Sequence, residues 1–262
     1  MASPKSPYAV YGTTFGGSAY CGTVMSVAPN GTLSNVEQDY VYSTSSGVHG
    51  LALSPDQRFL YSADDSGNAV WTHRVNQTTG ALTYVAKLPG PATGADPRHV
   101  AVHPSGKYMY VVLEGSNELG IYEIDVATGI PTFTNTTYPL IPEGISNSAY
   151  WSDEVAFALS GTFLWATSRA RSTNSTGYIS TISLSPDGAP VRQLLLEPTA
   201  SGGGTANSIA PAFFSDEWAA LTDSSVGFVQ VWRAAANGSS AKAVATVQIN
   251  DGGCCANAIW YD

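Results

Sequence analysis

Arg98-His-Val-Ala-Val-His-Pro-Ser-Gly-Lys-Tyr-Met-Tyr110 decides the fold. An apolar run alternates, a polar turn interrupts it, and a second apolar run follows. Alternation at a period of two marks a half-buried strand. The turn fits between two strands because Pro fixes φ near about −65° and Gly tolerates positive φ. The pattern recurs in His49-Gly-Leu-Ala-Leu-Ser-Pro-Asp-Gln-Arg-Phe-Leu-Tyr61 and in Asp153-Glu-Val-Ala-Phe-Ala-Leu-Ser-Gly-Thr-Phe-Leu-Trp165. A looser copy is Asn207-Ser-Ile-Ala-Pro-Ala-Phe-Phe-Ser-Asp-Glu-Trp218. The turn residues Asp56, Gly106, Gly161 and Asp216 are spaced by 50, 55 and 55. That spacing is near the roughly 40–50 residues of a four-stranded propeller blade.

Each copy continues into further strands, such as 68–74, 118–124, 177–184 and 227–232, each followed by a turn and a fourth strand. The reading is an all-β protein, one β-propeller domain of four-stranded blades. The expected units are 48–97, 98–152, 153–206 and 207–256, with a composite blade joining 1–47 to 257–262. The composite follows from the ends. Tyr8-Ala-Val-Tyr11 reads as a second strand with no first, and Asn257-Ala-Ile-Trp-Tyr-Asp262 as a first strand with nothing after it. Pairing the two would remove an exposed edge.

Composition agrees. Among 262 residues, 44% are hydrophobic and only 12% charged, with 26 Gly and 15 Pro, a profile of short strands and tight turns. The net charge of −9 and the lack of any Lys/Arg run argue against a nucleic-acid partner. No apolar run approaches the ~20 residues of a membrane helix, and the polar stretch from Met1 to Pro7 does not read as a signal peptide. Asn-x-Ser/Thr sequons stand at Asn30, Asn76, Asn135, Asn174 and Asn237, the pattern of a secreted relative. Cys21, Cys254 and Cys255 lack metal-ligand spacing. They leave open either reduced thiols or a bridge from Cys21 to one of the C-terminal pair. Ser201-Gly-Gly-Gly204 is no phosphate loop, because no helix and no Lys-Ser/Thr follow it.

The segments Trp71-Thr-His-Arg74, Asp96-Pro-Arg-His-Val-Ala-Val-His-Pro104, Ser168-Arg-Ala170, Ser215-Asp-Glu-Trp218 and the C-terminal Asn-Ala-Ile-Trp-Tyr-Asp together resemble the fungal carboxy-cis,cis-muconate cyclases. These belong to the seven-bladed propeller lactonases, with the propeller-type 6-phosphogluconolactonases. The resemblance runs from Pro7 onward and implies about two more blades before it. The chain is therefore expected to be a truncated product of a seven-bladed gene, or else a five-bladed ring whose ends have rejoined. The implied activity is lactonisation of 3-carboxy-cis,cis-muconate in aromatic catabolism, the β-ketoadipate pathway, in the cytoplasm. A secreted location is the alternative. The implied partner is a small anionic polycarboxylate, with no cofactor and no metal. Thr205 stands where the family often has a His.

In propellers, first strands line the central channel, so their starts and the residues just after second strands are the places to inspect. His49 and Arg98 open first strands; Glu114 and Arg169 follow second strands. The resemblance implies these four as the catalytic set. Two guanidinium forks suit carboxylates, and His49 or Glu114 is the candidate general acid. Simple rim pairing of Glu114 with Arg98 stays open. His73 and His103 read as structural, and His99 as an incidental first-strand residue. Glu143, Asp153 and Glu154 read as loop and strand-start carboxylates. Arg98→Ala is expected to abolish turnover with little change in melting temperature. The competing functions are a sugar-lactone hydrolase and a non-catalytic binding propeller.

Overall fold

The computed structural model describes residues 1–199, 208–224, 226–249 and 256–261, and these form five antiparallel sheets. The first sheet has three strands, β1 (Val10–Thr13), β2 (Cys21–Val27) and β3 (Leu33–Val41). The second is β4 (Val48–Leu53), β5 (Phe59–Asp64), β6 (Ala69–Val75) and β7 (Leu82–Pro89). The third is β8 (Pro97–Val102), β9 (Tyr108–Leu113), β10 (Glu118–Ile124) and β11 (Pro131–Pro139). The fourth is β12 (Tyr150–Phe157), β13 (Phe163–Ala170), β14 (Tyr178–Leu184) and β15 (Pro190–Pro198). The fifth is β16 (Ile209–Pro211), β17 (Trp218–Asp223), β18 (Phe228–Ala234) and β19 (Ala241–Gln248). Every sheet is a meander in which neighbours in sequence pair.

The period of two builds the core. In β5, Phe59, Tyr61 and Ala63 face the third sheet, while Leu60 faces the first. In β9, Met109, Val111 and Leu113 return that contact, and Tyr110 and Val112 turn to the fourth sheet. In β13, Leu164 and Ala166 complete that cluster, and Phe163 and Trp165 pack on the fifth. Each hydrophobic cluster thus lies between two successive sheets, so each sheet is stabilised mainly by its neighbours. A fully buried large side chain contributes about 1.5–3 kcal/mol. Outer strands such as β19 are largely exposed.

The first strands stand side by side, β4 against β8, β8 against β12 and β12 against β16. This succession is the blade arrangement that the repeat predicts. Pro97 and 150–152 begin their sheets slightly before the drawn unit boundaries. No composite blade is formed among the described residues. Among the described residues, 256–261 form no strand. They lie on the fifth sheet instead, where Thr222 Oγ1 donates to Ala256 O at 3.3 Å and Trp260 Nε1 to Ala210 O at 2.8 Å. The edge of β1 is satisfied from the other end: Tyr11 N donates to Met1 O and Ser3 N to Ala9 O, both at 2.8 Å. Nearby residues meet those backbone groups without a long-range closure.

Candidate active site

Three breaks in strand pairing build the site. The register of β4 on β5 slips between Val48 and Gly50, that of β8 on β9 between Pro97 and His99, and that of β12 on β13 between Ser152 and Val155. Inside the slips lie His49, Arg98, and Asp153 with Glu154. A bulge frees a residue from the ladder and re-aims its side chain. Because the slips occupy the same point of consecutive blades, the freed residues meet where the first strands meet. Gly50 permits the approach: a Cβ there would stand 2.6 Å from Arg98 O and 2.8 Å from His99 Cα.

Arg98, Glu114, Asp153 and Arg169 form one ion cluster. Arg98 Nε lies 2.6 Å from Glu114 Oε2. Its Nη1 donates to the Asp153 carboxylate and, at 2.9 Å, to the Asp153 carbonyl. Arg169 Nη2 reaches Glu114 Oε2 at 3.3 Å, and its Nη1 lies 3.6 Å from Asp153 Oδ2. Arg98, Asp153 and Arg169 are buried, and two guanidinia facing two carboxylates keep the buried charge balanced. The Arg169 guanidinium also lies 5.3 Å from the Trp151 ring centre. Burial holds Arg169 below its ordinary range. Burial likewise pushes the Glu114 carboxyl up, against the opposing pull of Arg98 and Arg169. Asp65 follows β5 as Glu114 follows β9. Burial, then the charges of Glu114 and Asp96, push Asp65 up to about 7.

A second chain of contacts adjoins this cluster. His99 Nδ1 lies 2.6 Å from Glu154 Oε1, and His99 Nε2 lies 2.8 Å from His49 Nδ1. Val155 N donates to Glu154 Oε1 at 3.1 Å and Ser208 Oγ to Oε2 at 3.4 Å. The His49 ring meets Phe15 edge-on, with centres 4.9 Å apart. Burial, then the charges of Arg98 and His99, hold His49 down at about 3. A cleft of about 420 Å³ opens beside His49, His99 and Glu154, with Tyr11 and Gly50 on its wall.

The four residues singled out from the sequence therefore come together. Arg98, Glu114 and Arg169 do so by ion pairs, and His49 through His99. Three readings are corrected. His99 is not incidental, and Asp153 and Glu154 are not merely strand-start carboxylates, since all three are partners within the network. Glu114 and Asp153 engage both guanidinium forks. Asp65 went unremarked. The repeat itself carried the missing signal. Gly50, His99, Glu154 and Ser208 share one position of the motif, and Asp65, Glu114, Arg169 and Ser224 share another.

His103 stays structural, its ring nitrogens 2.9 Å from Ser105 Oγ and 3.2 Å from Gly161 O. His73 stands in a cage of Tyr40, Tyr42, Trp71 and Tyr84, and Glu143 is exposed. Ser201–Thr205, Cys254 and Cys255 lie outside the described residues, and so does any pairing of Cys21 with them. Among the described residues no His, Cys, Asp and Glu side chains are grouped to hold a metal ion. No helix among them is long and apolar enough to cross a membrane.

A family model described as lactonase, 7-bladed beta-propeller, matches residues 23–202. The chain belongs to this family. It is 38% identical to the carboxy-cis,cis-muconate cyclase of Neurospora crassa, in an alignment that takes in all of this chain and 73% of that protein. To a 6-phosphogluconolactonase of Pectobacterium carotovorum it is 24% identical, over 70% of this chain and 53% of that one. Among solved structures, the periplasmic gluconolactonase PpgL of Pseudomonas aeruginosa superposes with a TM-score of 0.76 at 19% identity, covering 92% of this chain and 67% of the other. That last likeness bears on the fold alone. The chain thus spans about three quarters of the Neurospora protein, and its described residues form five sheets.

Proposed function

We propose that this chain is an intramolecular lyase that closes 3-carboxy-cis,cis-muconate into its lactone, 3-carboxymuconolactone. The observation that carries the reading is the extent of the likeness to the Neurospora cyclase. It covers the whole chain, whereas the 6-phosphogluconolactonase likeness is weaker and covers less. The partner is then a small tricarboxylate, and the proposed location is the cytoplasm.

The site supports this chemistry in three ways. First, Arg98 and Arg169 present guanidinia on one side of a shared carboxylate, that of Glu114. A substrate carboxylate binds by taking the place of Glu114, whose carboxyl burial already pushes towards the neutral form. Second, the guanidinia orient the substrate so that one carboxylate faces its own diene, and holding both partners of a cyclisation in place lowers the barrier. Third, the reaction needs a proton. The carboxylate oxygen forms a C–O bond, the π bond shifts, and the neighbouring carbon takes up one proton, with no other atom gained or lost. His49 is the proposed acid, because its Nδ1 is engaged by His99 and, among the described residues, its Nε2 has no hydrogen-bond partner. The anionic substrate raises the affinity of His49 for a proton by offsetting the two guanidinia.

The test is loss of the diene ultraviolet absorbance of 3-carboxy-cis,cis-muconate on adding the purified chain. Arg98→Ala is a poor control. Arg98 is buried between Glu114 and Asp153, and removing one member of a buried ion cluster costs about 3–5 kcal/mol. The expectation of an unchanged melting temperature is therefore withdrawn. Arg98→Lys keeps the charge and removes the fork. Turnover is expected to fall about a hundredfold with the fold intact. No loss of absorbance by the folded wild type, or hydrolysis of 6-phosphogluconolactone in its place, would overturn the reading.

A further inference from the structure

We propose that His99 and Glu154 form a proton relay with His49, which loads His49 Nε2 with the proton that lactonisation consumes. The inference rests on His49 as the acid in the proposed reaction, and it adds two positioning residues behind that acid.

The direction of the hydrogen bonds is fixed at the outer end. Glu154 already accepts from the Val155 amide and the Ser208 hydroxyl. Its Oε1, 2.6 Å from His99 Nδ1, accepts there too, so His99 Nδ1 carries a hydrogen. Two states of the chain follow. With both rings neutral, His99 Nε2 accepts from His49 Nδ1–H, and His49 Nε2 holds a lone pair. In that state His49 cannot protonate a substrate. With one more proton, His99 carries hydrogens on both nitrogens, donating to Glu154 and to His49 Nδ1. The hydrogen of His49 then sits on Nε2, where it can be given to carbon. One proton taken up from solvent at His49 Nε2, with transfer of the His49 Nδ1 hydrogen to His99 Nε2 across the 2.8 Å contact between the rings, switches the first state to the second.

The relay also puts the charge where it is tolerated. A proton on His49 alone is opposed by burial, by Arg98 and His99 from β8 and by Arg169 from β13, and is favoured by Asp153 from β12. Phe15, against the ring's edge, is uncharged. Passing the charge to His99 sets it against the Glu154 carboxylate, 2.6 Å from its Nδ1. The groups facing His99 are His49 and Glu154. The chain ends at His49 for a steric reason. The motif position that holds His99 and Glu154 in their blades is Gly50 in the preceding one, where a side chain would strike the backbone of β8.

Two measurements test this. In the ligand-free chain at pH 8, imidazole 15N spectra are expected to show His49 with hydrogen on Nδ1 and none on Nε2. Glu154→Gln removes the charge that favours the loaded state. Its kcat is expected to fall about a hundredfold with KM little changed, and the fall of kcat with rising pH is expected to begin at lower pH than in the wild type. Should Glu154→Gln fail to fold, His99→Gln takes its place with the same expected fall in kcat. Wild-type kcat and pH profile in a folded variant would overturn the relay, and so would hydrogen on His49 Nε2 in the ligand-free spectrum. Absence of turnover by the wild type would count against the lactonisation instead, and the spectra would still decide the relay.

Discussion

Strand β9 belongs to two regions of the molecule that obey different physics. Along its length Met109, Val111 and Leu113 enter one interblade cluster and Tyr110 and Val112 the next, all fully buried and all in register with β10. One residue beyond its end stands Glu114, a half-buried carboxyl shared by two guanidinia. Along β9 and β10 the ladder is unbroken, and the β9 side chains that enter the clusters between blades are apolar. Where the first strands meet, the ladder slips in three places and the side chains are charged or titratable. Stability belongs to the first region and chemistry to the second. The difference shows that the repeat supplies a frame, and that function enters where the frame is locally broken.

The strongest way to break the comparison is to cut a cluster between blades. Trp165 is fully buried between the fourth and fifth sheets, beside Phe163 and Trp232. Trp165→Ala is expected to lower unfolding free energy by about 3–5 kcal/mol, read as a lower midpoint in urea. A loss under about 1 kcal/mol would mean that the fifth sheet adds little to the fold, and that stability is not shared out evenly between neighbours.

Gly50→Ala sharpens the comparison from the other side. The added methyl would press on Arg98 O and His99 Cα at 2.6 and 2.8 Å, which only a shift of β4 from β8 relieves. The expected stability cost is about 1–3 kcal/mol, smaller than for Trp165. The cost in turnover is expected to be larger than that loss explains, because the His49–His99 contact spans the same gap. Equal activity at saturating substrate in the folded variant would show that the spacing of the two strands is not part of the mechanism.

The two regions were also unequally legible. The interblade cores could be read directly, because alternation in 98–110 and its copies is what a strand with two buried faces requires. The first residues of those same copies were harder. Arg98, His49, Glu114 and Arg169 were picked out by place and by resemblance, but His99 and Glu154 were set aside. Their meaning depends on contacts between blades at 50 and 55 positions' separation. The bulges that aim them leave no mark in hydrophobic pattern. Lining the copies up residue by residue puts His99 over Glu154 and Asp65 over Glu114. The composite blade shows the same limit of pattern. Tyr8–Tyr11 does read as a second strand, yet an edge can be met by any nearby backbone, and Met1, Ala2 and Ser3 pair with it here.

Asp65 gives the smallest effect and the finest distinction. It holds the place in its blade that Glu114 and Arg169 hold in theirs, and burial with two acidic neighbours pushes it up to about 7 from the ordinary 3.8. A carboxyl raised on folding binds its proton more tightly in the folded chain. Its effect on stability is therefore nil at acid pH, where both states are protonated. The effect becomes unfavourable as pH rises from about 4 through 7, and stays so above. Asp65→Asn removes that cost. The variant is expected to match the wild type at pH 4 and to melt a few degrees higher at pH 8, a gain of about 1–2 kcal/mol once partial exposure is allowed for. The opposite sign at pH 8 would mean that the ionised Asp65 carboxylate is stabilised in the fold by Arg98, which is the attraction opposing the shift. The ion cluster would then have three carboxylates to two guanidinia, and a substrate anion would have to displace more than Glu114 to bind.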